Sequence, residues 1–331
     1  MPYQQFTFFD RREIQSGLER GWSQREIARS LGRSPSSISR EIRRNRNASG
    51  RYEAFDAQLD CRTRRKAGRP APKLSVGPLR TYVLEKLKQD WEPACIAAML
   101  PLEHPGNSSM RVSHETIYQF VYADKRAVGR LYKHLRHGHK QRRKRSGGKK
   151  NRGTIPNRVS IDVRPAIVDT QERAGDWEGD TMIGRSHKGA IATFTERRFL
   201  YTKAVLMDNR SADILNQAAV RAFIDIPRHL RHTLTVDNGK EFAKHEKLSQ
   251  KLGLDIYFAH PYCSNERAIN ENANGLIRQY FPKGTDFTKV TQDDLNHAIE
   301  KLNNRPRPKL GYRTPKQIFE TYADPAVAFQ I

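Results

Sequence analysis

Three carboxylates stand out for where they fall in the chain. Asp180 lies inside the strand-like run GDWEGDTMIG, Asp237 closes the apolar run that ends in TVDNG, and Glu271 sits within the helical stretch NERAINENANGLIRQY. Burying an unpaired carboxylate costs several kcal/mol, so acids at such positions need a partner or a bound cation. Two acids at strand ends and a third on a nearby helix can hold two divalent ions about 4 Å apart, a clamp suited to phosphodiester displacement. An all-oxygen ligand set favours Mg²⁺, with Mn²⁺ able to substitute, over zinc.

Each acid alone is ambiguous. Asp176, Glu178 and Asp180 share one strand face at period two, so alternation does not choose between them. A helical glutamate is ordinarily solvated, and Asp-Asn-Gly is ordinarily a turn. The combination is more specific. Between Asp237 and Glu271 lie 33 residues, and Arg278 follows Glu271 by seven, two helical turns along the same face. A cation there can touch the nucleic acid that the acids would cut.

These acids need a sheet to hold them. Residues 176–183, 190–195 and 199–206 read as three strands. A helix capped by Ser211 follows, then a buried strand at 234–236, a helix from about Glu241, a strand near Ile256 and a long helix opened by Ser264 that runs to about Tyr280. That order predicts an α/β domain with a mixed five-stranded sheet over residues 161–331. Trp177 reads as core and Cys263 as a small buried hydrophobe. His260 reads as a loop residue rather than a ligand, and Asn238, Tyr262 and Asn274 as residues able to line a nucleic-acid channel.

The first part of the chain is different. Residues 6–46 read as three short helices: the first capped by Asp10, the second by Ser23 with Glu26 completing a capping box, the third by Ser34 with Pro35 at its first position. Ala28, Gly32 and Ile38 have helix-turn-helix spacing, a small residue for close crossing and a glycine for the turn. Ile38 and Ile42 face inward. Ser36, Ser37, Ser39, Arg40, Arg43 and Arg44 form the outer face that would enter a DNA major groove. Residues 1–50 are thus an expected all-α DNA-binding domain and 51–73 a short helix running into a basic linker. Residues 74–137 read as a second helical, helix-turn-helix-like module with a lengthened turn, the alternative being a helical dimerisation or spacer domain. Residues 138–160 form a second basic linker in which Arg142, Arg143, Lys144 and Arg145 would track phosphates.

Charge supports this division. The 331 residues carry 60 Lys and Arg against 36 Asp and Glu, a net of +24. Residues 1–150 hold +19 of it and residues 151–331 only +5. An excess this large calls for a polyanionic partner, and double-stranded DNA fits the motifs. No apolar run reaches the length of a membrane span, the first ten residues lack signal-peptide order, and the three cysteines form no metal or disulfide pattern. A reducing, cytosolic location is expected.

The segments SQREIARSLGRSPSSISREIRRN, SHETIYQFVY, WEGDTMIG, TVDNGKEF and NENANGLIRQYFPKGTDF together resemble the DDE transposases of bacterial insertion sequences, of the IS-thirty type. The resemblance covers nearly the whole chain. It implies a ribonuclease-H-like catalytic domain and selects Asp180 over Asp176 and Glu178, with Asp237 and Glu271 as the other two metal ligands and catalytic residues. It also implies Arg278 as a DNA contact, two Mg²⁺ ions, and a homodimer or larger synaptic complex on the transposon ends and target. The expected activity is strand cleavage at terminal inverted repeats followed by strand transfer from the freed 3′-OH. The alternatives are a non-catalytic DNA-binding regulator and a nuclease without strand transfer. The chain departs from the family pattern at Asn265-Glu266-Arg267-Ala268-Ile269, where the family has Trp-Glu-Arg-Gly-Thr.

Overall fold

The computed structural model describes residues 5–68, 71–136, 155–261 and 263–324. The chain divides into two compact units, one ending at Pro72 and one starting at Lys73. In chain order the helices are α1 (Phe8–Glu19), α2 (Gln24–Ser30), α3 (Pro35–Asn45), α4 (Ala54–Ala67), α5 (Pro78–Lys88), α6 (Pro93–Glu103), α7 (His114–Arg126), α8 (Ile167–Thr170), α9 (Ala212–Phe223), α10 (His245–Leu252), α11 (Ala268–Ile277), α12 (Gln292–Asn303) and α13 (Pro315–Ala323). The strands are β1 (Asp176–Ile183), β2 (Ala190–Glu196), β3 (Thr202–Met207), β4 (Thr233–Val236) and β5 (Asp255–Phe258).

In the first unit the α2 N-cap is Ser23, which accepts from the Glu26 backbone while the Glu26 carboxylate accepts from the Ser23 N–H. Ser34 caps α3 through its own side chain, with Pro35 behind it. The first helix starts earlier than expected. Thr7 is the cap, and Asp10 is its reciprocal partner inside the first turn. Gly32 ends α2 at φ +61°, a conformation open to glycine at little cost. Ile14, Ile27, Ala28, Ile38, Ile42, Tyr52 and Ala57 make the core. Ala57 belongs to α4, which packs on α1, and Arg11 reaches α4 through Gln58 while pairing with Glu41 at 2.7 Å.

In the second unit α5, α6 and α7 bury Val83, Leu87, Ile96, Leu100, Ile117 and Val121 together. Residues 104–113 separate α6 from α7. This module is fastened to the rest of the unit through Asp90, which is buried. Asp90 accepts from the Tyr280 hydroxyl at 3.0 Å, shares a 2.7 Å hydrogen bond with His134 Nδ1 and lies 3.5 Å from Lys301 Nζ.

The five strands form one sheet in the order β3-β2-β1-β4-β5. β1 pairs antiparallel with β2 and parallel with β4; β2–β3 is antiparallel and β4–β5 parallel. This is the mixed five-stranded sheet that the element order implies. In the parallel half every residue of β4 and all of β5 but Asp255 are buried. One face packs Trp177, Phe194 and Phe223 against α9, and the Trp177 indole donates to the Leu230 carbonyl at 2.9 Å. Elsewhere on the sheet, α11 lies against β1 and β2, and Leu276 and Ile277 join Met182 and Ile191. The expected long helix from Ser264 is in fact a 3-10 turn at Ser264–Arg267 followed by the shorter α11. No helix among the described residues is long and apolar enough to cross a membrane.

Candidate active site

Strand β1 carries all three acids of the ambiguous face, and the structure separates them by their partners. Asp176 is buried against Arg173 at 2.7 Å and accepts from the Thr233 hydroxyl at 2.7 Å. Glu178 is buried against Arg197 at 2.6 Å and accepts from the Asn270 N–H at 2.8 Å. Both are compensated and structural. Asp180 sits further along, beside Gly179 and opposite Thr193 of β2. It accepts from the Asn274 amide at 3.0 Å and from the following N–H at 2.8 Å, and its nearest cation is Arg267, 3.5 Å away. Burial raises its carboxyl above the ordinary carboxylate range. Arg267 opposes that rise, and the neighbouring charges of Asp237 and Glu241 add to it.

Asp237 follows β4, the parallel neighbour of β1, so the sheet itself brings the two aspartates to the same end. Its Oδ1 accepts from the Gly239 N–H at 2.9 Å. Gly239 has φ −72°, so its role is space rather than backbone freedom. A Cβ there would fall 2.6 Å from the Glu241 carboxyl and 2.8 Å from Asp237 Oδ1. Glu241, which sequence reading passed over, is buried and accepts from the Thr181 hydroxyl at 2.8 Å and from Arg210 at 3.2 Å. Its signal was its place three residues after Asn238 in TVDNGKEF, which periodicity does not rank.

Glu271 lies exposed in the first turn of α11. Arg267 precedes it by four and Asn274 follows it by three, and both of those side chains reach Asp180. Asn274, one turn along α11, shares a helix face with Glu271, while Arg267 precedes the helix. The other asparagines of the motif hold the helix in place. Asn270 is fully buried, accepts from the Thr195 hydroxyl at 2.7 Å and donates to Thr193 at 3.1 Å. Asn272 accepts from Arg136 at 2.7 Å. The three acids are not drawn into a closed cage: no group of three His, Cys, Asp or Glu fit to hold a metal occurs among the described residues.

The donor chemistry nevertheless fits hard divalent ions. Asp180 and Asp237 offer carboxylate oxygens whose charges oppose one another, a repulsion that a bound cation would relieve. The altered 265–269 segment retains the element that matters locally. Arg267 reaches Asp180, and Ala268 has φ −60°, ordinary helix that requires no glycine.

The remaining expected residues fall as follows. Ser36, Ser39, Arg40, Arg43 and Arg44 are exposed along α3, with Ser37 partly exposed and bonded to Ser34 at 2.8 Å. Arg278 caps α11, half-buried, donating to the Ile183 carbonyl at 3.3 Å and lying over the Phe287 ring. Arg142, Arg143, Lys144, Arg145 and Tyr262 lie outside the described residues. Asn238 donates to the Ala259 carbonyl and accepts from Arg158. His260 is held between Glu266 at 2.8 Å and Asp162 at 3.2 Å, and the bond to Glu266, then the charge of Asp162, raise its pKa above the ordinary imidazole value. Cys263, expected buried, is partly exposed.

Comparison with known proteins gives a consistent picture. The helix-turn-helix domain family matches residues 2–45. The chain is 43% identical over 299 residues to the transposase for insertion sequence element IS4351 of Bacteroides fragilis, across 90% of each chain. It is 42% identical over 321 residues to transposase InsI for insertion sequence element IS30A of Escherichia coli (strain K12), across 95% of this chain and 83% of that one. Among solved structures, the catalytic core domain of BIV integrase is 20% identical, covers 45% of this chain and 95% of its own, and has a TM-score of 0.37.

Proposed function

Because the chain belongs to the IS30-family transposases of bacterial insertion sequences, we propose that it cuts and joins DNA with Asp180, Asp237 and Glu271 as the ligands of two Mg²⁺ ions. The observation that carries this is the contrast along β1: Asp176 and Glu178 each have an arginine within 2.7 Å, whereas Asp180 has Arg267 only at 3.5 Å and is held instead by Asn274 of the helix that bears Glu271. Bound divalent ions would supply Lewis-acid activation of water and charge neutralisation at the phosphodiester.

The protein's own groups do the positioning. Asn274 orients the Asp180 carboxylate, and Asn270 pins α11 to β1 and β2 so that Glu271 keeps its distance from the sheet. Gly239 leaves room for Asp237 and Glu241 to stand close. Arg267 balances Asp180 and limits repulsion among the acids. Water is the nucleophile in the first step, and the freed 3′-OH attacks a target phosphodiester in the second, so no Ser or Tyr nucleophile is required. The first unit, with the exposed face of α3, would bind the terminal inverted repeats, and synapsis would use a dimer or larger assembly.

The test is cleavage of an end-labelled terminal-repeat duplex by the full chain with Mg²⁺. Strand cleavage that Asp237→Ala abolishes is the expected result. Wild type cutting no better than Asp237→Ala would overturn the proposal in favour of a DNA-binding regulator, and cleavage without joining would leave a nuclease.

A further inference from the structure

Beyond Asp180, the end of β1 and the turn after it line an open cavity of about 640 Å³ with α11 and the loop that follows. That volume is within the range of sites for small organic ligands, roughly 300–1,000 Å³. Met182 and Ile183 give it an apolar wall, and Asn274, the residue bonded to Asp180, lies on its edge. Arg185 and Lys283 line it as exposed cations, and neither side chain has a hydrogen bond or ion pair among the described residues. Such a combination suits a ligand with one flat apolar part and one anionic part.

Two backbone features point to the same place. Gly275 is in the interior of α11, where glycine is less favourable than alanine. No internal packing explains it: an added Cβ would meet only the Arg136 guanidinium, at an ordinary 3.5 Å. Gly275 lies on the cavity wall, where its bare backbone allows another group to approach closely. On the opposite rim Ser186 and His187 are consecutive non-glycine residues at φ +52° and +62°. Backbone held in this region concentrates at ligand-binding sites.

We propose that this cavity seats one unstacked nucleotide of the DNA strand adjoining the cut, its base against Gly275 and the Met182–Ile183 wall and its phosphate between Arg185 and Lys283. The proposal rests on the DNA-cutting function above and adds a substrate subsite to it. Removing a nucleotide from the stack costs a few kcal/mol, least at a frayed or mismatched end, so such a seat would also help choose the strand terminus over internal duplex.

The experiment uses the full chain, without divalent metal, and terminal-repeat duplexes carrying 2-aminopurine at successive positions around the cleavage point. Fluorescence should rise several-fold at one position and stay quenched at the others. Gly275→Leu, which fills the cavity, should abolish the rise. Gly275→Ala should reduce it while the thermal midpoint stays level or increases, the direction a helical Gly→Ala change takes when nothing clashes. If Gly275→Leu does not fold, the Arg185→Ala/Lys283→Ala double variant replaces it, with the same loss expected. Cleavage by wild type with no position brightening would overturn the subsite and leave the cleavage function intact. Brightening at one position without Mg²⁺-dependent cleavage would do the reverse. A rise unaffected by any of these variants would place the unstacked base elsewhere and overturn the proposal.

Discussion

On α3 the serines and arginines point away from the packed core of the first unit, while Glu41 and Asn45 are buried on its other side. Ser36, Ser39, Arg40, Arg43 and Arg44 are exposed, while Ile38 and Ile42 on the other side are sealed into the core. On α11 two of the asparagines point inward, while Glu271 and Asn272 are exposed. Asn270 is fully buried among Glu178, Thr193 and Thr195, Asn274 bonds to Asp180 and Thr193, and Asn272 receives Arg136. The first helix keeps its cations available for a partner that arrives later. The second has its hydrogen bonds made before any substrate is present, which is the arrangement expected where charge must be stabilised without reorganisation. Substitutions on α3 should therefore change affinity and salt dependence, and substitutions on α11 should change rate or folding stability.

The largest effect should come from the acids that α11 covers. Asp180→Asn should lower cleavage by at least about 10²-fold, since even residues that only orient metal ligands cost roughly 10–100-fold. Binding of terminal DNA by the same variant should be retained, as a gel-shift titration can check. Equal loss of binding would erase the distinction between the two helices.

Asn274 and Asn270 sharpen the comparison within α11. Asn274→Ala removes the amide that holds Asp180 and should slow cleavage by roughly 10–100-fold with little change in the urea midpoint. Asn270→Ala leaves buried hydroxyls short of a partner and should destabilise the second unit by about 1–3 kcal/mol, read from urea unfolding. If both variants alter only stability, α11 is a structural helix.

On α3 the expected effects are smaller. Arg43→Ala should flatten the dependence of log affinity on log salt by about one unit, the change in slope that follows when one phosphate is no longer neutralised. Arg40→Ala should cost about 1–3 kcal/mol of discrimination between terminal-repeat and unrelated DNA. Weaker binding to all sequences alike would mean that Arg40 touches phosphate only.

The smallest concerns the loop leading to α11. His260 has a raised pKa between Glu266 and Asp162, so its stabilising contribution is complete below the ordinary imidazole value of 6.5 and is lost as the pH rises through the raised value. His260→Asn should remove that part of the pH dependence of the thermal midpoint. An unchanged profile would mean that the exposed pair adds nothing to the fold.

What sequence alone determined was local. Caps at Ser23, Ser34 and Ser211 and the turn at Gly32 follow from backbone donors and side-chain periodicity within a few residues. The helix-turn-helix face was legible for the same reason, because an amphipathic helix declares its inner and outer sides without reference to distant chain. The spacing of Asp237 and Glu271 was legible too, but only as a count. Choosing Asp180 over Asp176 and Glu178 needed either a family resemblance or the sheet. All three occupy one strand face, and what separates them is Arg173, three residues before Asp176, together with Arg197 and Asn274, brought from further along the chain. Glu241, the steric need for Gly239 and the cavity beside Gly275 likewise depended on tertiary structure. Electrostatic compensation and free volume are properties of neighbours in space, and the sheet order β3-β2-β1-β4-β5 is what makes those residues neighbours.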